Sequence, residues 1–357
     1  MKRLLLFSVL IFTLVFCFSC KSKQNKNGKT DPPQKITFTE NTINNSIEIL
    51  ADGKPFTSFI WSADLSKPVL YPVFAASGTE ITRGFPVHPK AGERADHPHQ
   101  IGMWLTYGNV NGTDFWGNGS KGLGIRNSNG GIIRHERINK AEGGNSNGIL
   151  ESHETWIDSS GVEILREKSV YTFIAMGNIR IIDRSIQLTA IAKDVVFSDT
   201  KEGMFAIRVA RQLEHPLKGN IEMVNEDGSV SKIADTLNVG ITGNYTSSEK
   251  IQGEAVWGTR AKWMKLDGKI GDEIISIAIC DHPENPGYPT YWHARGYGLF
   301  SANPLGVKDF TKGAETMNFV IQAGKSVTFR YRVIISSGSR LTDKELNDME
   351  IVQETKK

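Results

Sequence analysis

From about residue 36 onward, apolar residues hardly ever recur at the three- and four-residue spacing that lays a stripe along a helix. They come instead in short runs broken by turns. The runs are Ile36–Thr39, Ser46–Leu50, Phe56–Trp61 and Val69–Phe74, then Gly148–Ile157, Glu163–Phe173, Ile179–Ala192, Phe205–Val209, Ile274–Cys280, Glu315–Ile321 and Ser326–Ser336. Asp52-Gly53 between two such runs is a hairpin signal. Ile179–Ala192 and Ser326–Ile335 are rich in β-branched and aromatic residues and alternate only in part, as strands buried on both faces do. One sheet cannot hide both of its faces, so an all-β body of this size needs two large sheets face to face. The pattern predicts a single large antiparallel β-sandwich over 36–340. No Pro/Ser-rich linker divides it, which argues against two smaller sandwiches in tandem. Helical signals appear only at the end. Thr342-Asp343-Lys344-Glu345 opens a short helix inside a charged tail, 341–357. The Gly/Asn-rich stretch 108–148 reads as long loops at one end of the sandwich, where sites tend to lie.

The first residues, MKRLLLFSVLIFTLVFCFSC, set Lys2 and Arg3 before an apolar run from Leu4 to Phe18. That run is short of the roughly 20 residues a spanning helix needs and has the form of a signal h-region. Ser19 precedes Cys20, and polar sequence follows at once, as in a bacterial lipoprotein signal; Cys17 stands where Leu is usual. The expectation is a signal over 1–19, lipidation of Cys20, and a polar tether over 20–35. That places the protein in the cell envelope, lipid-anchored, periplasmic or surface-exposed, and in contact with membrane through its lipid only. With Cys17 removed and Cys20 lipidated, Cys280 is the one remaining thiol and no intrachain disulfide forms.

Composition removes several function classes. A net charge of +3 over 357 residues offers no basic field for nucleic acid, so none is expected as a partner. Neither GxxxxGK[ST] nor HExxH occurs, and Gly122-Leu123-Gly124 lacks the third glycine of a dinucleotide fingerprint.

Three clusters carry chemistry. Arg94 to Trp116 reads RADHPHQIGMWLTYGNVNGTDFW. In an extended segment His97 and His99 point to one face, which suits two acid/base groups or a metal pair. Asp96 could orient a ring through its other nitrogen, and Pro98 stiffens the segment. Trp104 and Trp116 could stack on a sugar, with Asp114 beside them. The bland alternative is a turn with surface histidines and core tryptophans. The second cluster runs from Tyr291 to Gly298, with Trp292, His293, Arg295 and Tyr297; a plain strand edge would look similar. In the third, TKEGMFAIR, Glu202 and Arg208 share a face under period two. They read as a base or ligand and an oxygen clamp, or as a structural pair.

The segments DHPHQIGMW (96–104), VNGTDFW (110–116), TKEGMFAIRVA (200–210) and WHARGYGLFSANPLG (292–306) together resemble a bacterial family often labelled methane oxygenase PmoA-like, over about residues 50–335. Gln100 departs from the basic residue or His expected in many relatives. The resemblance implies a poorly characterised, often secreted protein found in carbohydrate-use settings. It also implies a fold similar to the galactose-mutarotase-like supersandwich, whose members bind sugars on a concave sheet face with histidines and a carboxylate. Oxygenase chemistry of the integral-membrane kind is not expected of this chain.

The reading is therefore an envelope-anchored carbohydrate-active protein acting on or binding a sugar or other small polar substrate. His97, His99, Glu202 and His293 are the acid/base candidates. Asp96, Trp104, Asp114, Trp116, Arg208, Trp292, Arg295 and Tyr297 are the binding candidates. Epimerisation, elimination and hydrolysis all stay open. A divalent-metal enzyme built on the His/Glu set and a non-catalytic glycan-binding lipoprotein are the alternatives. No motif requires a cofactor.

Overall fold

The computed structural model describes residues 32–117, 129–235 and 238–349. The signal, Cys20, most of the tether and the end of the tail lie outside the described residues. Strand makes up 51% and helix 6%, far from the roughly 30–35% helix of an average globular protein.

Two eight-stranded antiparallel sheets form the body, as the sequence predicts. The first runs, in spatial order, Ile36–Asn41, Ser46–Ala51, Lys54–Ile60, Val69–Val73, Met103–Tyr107, Gly203–Arg208, Leu299–Asn303 and Tyr291–Trp292. The second runs Asn244–Ser247, Trp263–Ile270, Glu273–Asp281, Ser326–Ser337, Ile179–Ala190, Glu163–Met176, Asn147–Ile157 and Ile132–Glu142. Two short two-stranded ribbons, Val195–Phe197 with Phe319–Ile321 and Gly219–Val224 with Val230–Asp235, flank them. The hairpin at Asp52-Gly53 forms as read: both residues have positive φ, 48° and 75°, and they join Ser46–Ala51 to Lys54–Ile60.

The core lies between the sheets. Met103, Leu105, Phe205, Ile207, Phe300 and Ala302 face Leu150, Phe173, Ile182, Ile186, Ile277 and Val333 in one continuous cluster. Period two then decides what the first sheet shows on its other side. Residues between the core-facing ones point outward, which places Trp104, Ala206, Arg208 and Leu299 on the outer face, where Val69, Tyr71 and Trp116 join them in a second apolar cluster. The candidate site is built on this face.

Two expectations need correction. The stretch 108–148 is not all loop, because Ile132–Glu142 is an edge strand paired with Asn147–Ile157. Its sequence IIRHERINKAE carries the exposed charges that blunt sheet edges, so it lacks the apolar alternation of an inner strand. The expected strand Glu315–Ile321 shrinks to Phe319–Ile321. The short C-terminal helix is present at Asp343–Asp348, opened by a Thr342/Glu345 capping box. It docks on the second sheet, where the Trp263 indole donates to Asn347 (2.9 Å) and Arg332 to the Met349 carbonyl (2.9 Å).

Candidate functional site

The outer face is roofed by the connection between Val73 and Met103 and by the turn between Trp292 and Leu299. Two glycines let these segments come close. Gly102 has φ +56°, and a Cβ there would stand 2.2 Å from the Leu70 carbonyl oxygen. Gly298 has φ +91° and closes the second turn, its N–H donating to the Arg295 carbonyl at 3.0 Å.

Two fully buried arginines hold the DHPHQ turn. Arg83 donates to Asp96 Oδ1 (2.7 Å) and to the carbonyls of Asp96 (2.8 Å), His97 (3.0 Å) and Gln100 (3.1 Å). Arg208 donates to the same Asp96 Oδ1 (2.5 Å) and to Gln100 Oε1 (2.5 Å). Burial alone would raise the Asp96 carboxyl, but the Arg208 guanidinium, the adjacent His97 ring and Arg83 outweigh it and hold it well below the usual carboxylate range. The arrangement explains Gln100. With a guanidinium at its side-chain oxygen this position must accept, and a basic residue there would meet Arg208 charge to charge.

With Asp96 Oδ1 shared by both arginines, Oδ2 lies 3.3 Å from His97 Nδ1. The His97 ring stacks flat on Tyr297, centroids 4.7 Å and planes 6° apart, and Tyr297 in turn lies against the Arg208 guanidinium at 4.9 Å. His97 has φ +43°, uncommon for a residue with a side chain, and its side chain is 40% exposed. The other histidines differ. Burial, then the charges of Lys67, His97, Arg208 and Arg83, push His99 down to about 2. Burial, then Lys201 and Arg295, push His293 down to about 3. Both are neutral at ordinary pH, each ring with one nitrogen to donate and one to accept. His97 and His99 rings stand 5.7 Å apart, and His97 is close enough to His293 for its charge to lower the latter.

Aromatic rings connect these groups. Trp104 and Trp116 centroids are 5.4 Å apart, Trp116 lies 6.2 Å from His293, and Trp257 lies 6.5 Å beyond His293. Arg295 sits over the Trp257 ring at 5.7 Å and has no carboxylate partner among the described residues. Glu202 pairs with Lys201 at 2.5 Å; burial raises the Tyr297 phenol, Arg208 and Gln100 oppose that, and Glu202 adds to it. Glu202 and Arg208 therefore flank Tyr297 and do not pair with each other. Asp114 Oδ1 accepts from the backbone N–H groups of Trp116 (2.9 Å) and Gly117 (2.8 Å), which shapes the loop.

The three tryptophans read as a stacking surface stand differently. Trp104 and Trp116 are on the site face but covered. Trp292 is not on it: it belongs to the inter-sheet core and donates to the Ala261 carbonyl at 3.0 Å. Its neighbour His293 pairs with Ser301 on the outer side, and successive strand residues cannot share a face. Nor do the His/Glu candidates form a metal centre; among the described residues no three His, Cys, Asp or Glu side chains are grouped to hold an ion.

Sequence reasoning missed Arg83, Lys67 and Trp257. Lys67 is buried, donates to the His99 carbonyl at 2.9 Å and lies 5.7 Å from the Trp104 ring. Burial pushes its ammonium down to about 7, against the pull of Asp114. Nothing near Lys67 or Trp257 in sequence marks them, since each reaches the site from a separate connection.

No curated protein matches the chain in sequence. Among solved structures it is similar to the galactosidase domain of an α-galactosidase–sucrose kinase, at 10% identity and TM-score 0.37, over 84% of this chain and 41% of that one. It is also similar to an α-galactosidase from Geobacillus stearothermophilus in complex with raffinose, at 12% identity and TM-score 0.38, over 88% of this chain and 42% of that one. A galactose mutarotase related enzyme from Lactobacillus acidophilus is similar at 11% identity and TM-score 0.30, over 85% of this chain and 98% of that one. The chain thus spans about two fifths of the galactosidases, and likenesses at these scores carry no argument about activity. The PmoA-like label suggested by the motifs does not accompany the family that the sequence matches. That match, to a family of unknown function, DUF6807, extends over residues 46–349, and the chain belongs to this family.

Proposed function

We propose that this is a carbohydrate-active protein that takes a sugar on the outer face of the first sheet and moves a proton there through His97. The observation that carries the reading is the Asp96–His97 pair. Two buried arginines fix one oxygen of Asp96, and the other lies 3.3 Å from His97 Nδ1. Asp96 Oδ2 makes no hydrogen bond to Nδ1, but its charge faces that nitrogen, and a proton held there leaves Nε2 to accept one from the substrate. Stacking on Tyr297 fixes the ring plane. The strained backbone at His97 and the exposure of its ring mark it as the working group of the three histidines. His99 and His293, held neutral, orient hydroxyls, and Glu202 supplies a second carboxylate across Tyr297. Epimerisation, elimination and hydrolysis all use such a base, and the reading commits to none of them.

We place this activity at the bacterial envelope, on a short tether, because residues 1–19 read as a lipoprotein signal before Cys20. That placement, like the likeness to the PmoA-like group, rests on the sequence. The test is turnover by the full chain on a panel of mono- and oligosaccharides. His97→Gln should abolish turnover while sugar binding and melting temperature persist. Full activity in that variant would refute the assignment, and binding without turnover in the wild type would favour the glycan-binding alternative.

A further inference from the structure

The buried indole N–H groups of this protein, half-exposed Trp61 aside, divide by location. Away from the site they donate: Trp156 to Glu167 at 2.8 Å, Trp263 to Asn347 at 2.9 Å, Trp292 to the Ala261 carbonyl at 3.0 Å. At the site they do not. Trp104 Nε1, Trp116 Nε1 and Trp257 Nε1 are all buried and meet no acceptor. An indole nitrogen can only donate, and a buried donor left unmatched is rare in folded proteins. Three in one row of touching rings is a local deficit of acceptors. Arg208 Nε joins them, also buried and unmatched.

Charge tilts the same way. His99 faces Lys67, His97, Arg208 and Arg83, and His293 faces Lys201, Arg295 and His97. The carboxylates nearby are already engaged: Asp96 by two arginines, Glu214 by Arg94 and Arg211, and Glu202 by Lys201, although Glu214 Oε1 keeps one acceptor position unmatched. Arg295, half-buried on the Trp257 ring, has no carboxylate of its own among the described residues. Trp257 and Arg295 are also the least covered members of the row, so a ligand entering there meets the Arg295 cation first and the Trp257 donor behind it.

We propose that the ligand is an acidic sugar, a hexose ring carrying a carboxylate, with the carboxylate at the Trp257–Arg295 end. The proposal rests on the carbohydrate reading above and narrows it. A carboxylate brings acceptor oxygens and negative charge to donors that have neither. A simple anion would leave His293 Nδ1, also buried and unmatched, without a partner. A ring hydroxyl, which donates or accepts, satisfies it in either tautomer.

The experiment titrates the purified full chain with galacturonate and glucuronate, with galactose and glucose, and with acetate and inorganic phosphate. The sugars are used free and as short oligomers, and binding is read by calorimetry and by tryptophan fluorescence. At least one hexuronate should bind tenfold or more tighter than its neutral hexose. Trp257→Phe keeps the ring and removes the N–H, and Arg295→Gln removes the charge. Each should lower that ratio at least threefold with melting temperature unchanged. Equal binding of hexose and hexuronate overturns the acidic-sugar proposal while the carbohydrate reading stands. Acetate or phosphate binding as tightly as a hexuronate, or no binding by any probe, overturns both. A ratio untouched by either variant overturns the placement at Trp257 and Arg295.

Discussion

Replacing His293 by Gln should flatten the acid limb of the stability curve. An unfolded histidine titrates near 6.5, while burial and the cations around His293 push it in the fold to about 3. Above pH 6.5 neither state binds a proton there, and the ring has no effect on the pH dependence. As pH falls below 6.5 the unfolded chain takes the proton and the folded chain does not, so stability is lost until the folded ring titrates near 3. At pH 4.5 the gap is two pH units, or about 2.7 kcal/mol at about 1.36 kcal/mol per unit. Glutamine keeps a polar side chain and cannot titrate. Asp281, which burial raises to about 7, works in the opposite sense, gaining stability as pH falls from 7 toward 4. It is present in both proteins and cancels. The assay is urea unfolding of wild type and His293→Gln at pH 7.5 and 4.5. Wild type should lose about 2.7 kcal/mol more than the variant between the two. Parallel curves, with a difference under about 1 kcal/mol, would mean that His293 charges inside the fold, and the account of a dry, cation-lined site would be wrong.

Other substitutions separate the parts of the site. Asp96→Asn leaves Arg83 and Arg208 buried without their shared anion and should cost about 3 kcal/mol, read as a lower unfolding midpoint. Trp292→Phe should destabilise by about 2 kcal/mol, since it opens a gap in the core and strands the Ala261 carbonyl, yet leave sugar binding intact once folded. Cys20→Ala should release the protein from the membrane fraction or leave unprocessed precursor; mature, membrane-bound variant would refute the anchor.

The fold was readable because its evidence is local. Short β-branched runs and the Asp52-Gly53 turn each reveal a strand or hairpin by themselves. What escaped has physical causes. Ile132–Glu142 is an edge strand, so its side chains are charged and its alternation is lost. Met103–Tyr107 was visible only as a motif, because MWLTY is buried on both faces and shows no period. At the site, residues close in sequence were legible: Asp96, His97 and His99 lie in one turn, and Tyr297 and His293 in another. Lys67, Arg83 and Trp257 were not, since the antiparallel topology alone brings three distant connections over one sheet face. Trp292 was misread because a motif written in one line ignores that neighbours on a strand point to opposite sides.

The polar groups of the second sheet show why we place the candidate site on the first. Inside the sandwich, Glu167 accepts from the Trp156 indole (2.8 Å), Ser169 (2.6 Å) and Arg184 (3.0 Å). Beside it, burial and the Glu167 charge raise Glu154 well above the ordinary carboxylate range, so it stays neutral, 3.3 Å from His135. A cleft of about 250 Å³ lined by Trp61, Pro68 and His135 opens nearby. This cluster is as unusual in charge as the outer-face site, yet its cation is matched: Arg184 meets Glu167 at 3.0 Å, with Glu154 beside them. A matched cluster inside a core holds strands in register and needs no visitor. The outer face of the first sheet has the reverse balance. Its cations outnumber its available carboxylates, its indoles donate to nothing, and a histidine is held with positive φ at its rim. Unusual charge and single unmatched atoms, such as Arg184 Nε, occur in both places; three unmatched indole donors along one row of rings occur only on the outer face among the described residues, and that is what a ligand can satisfy.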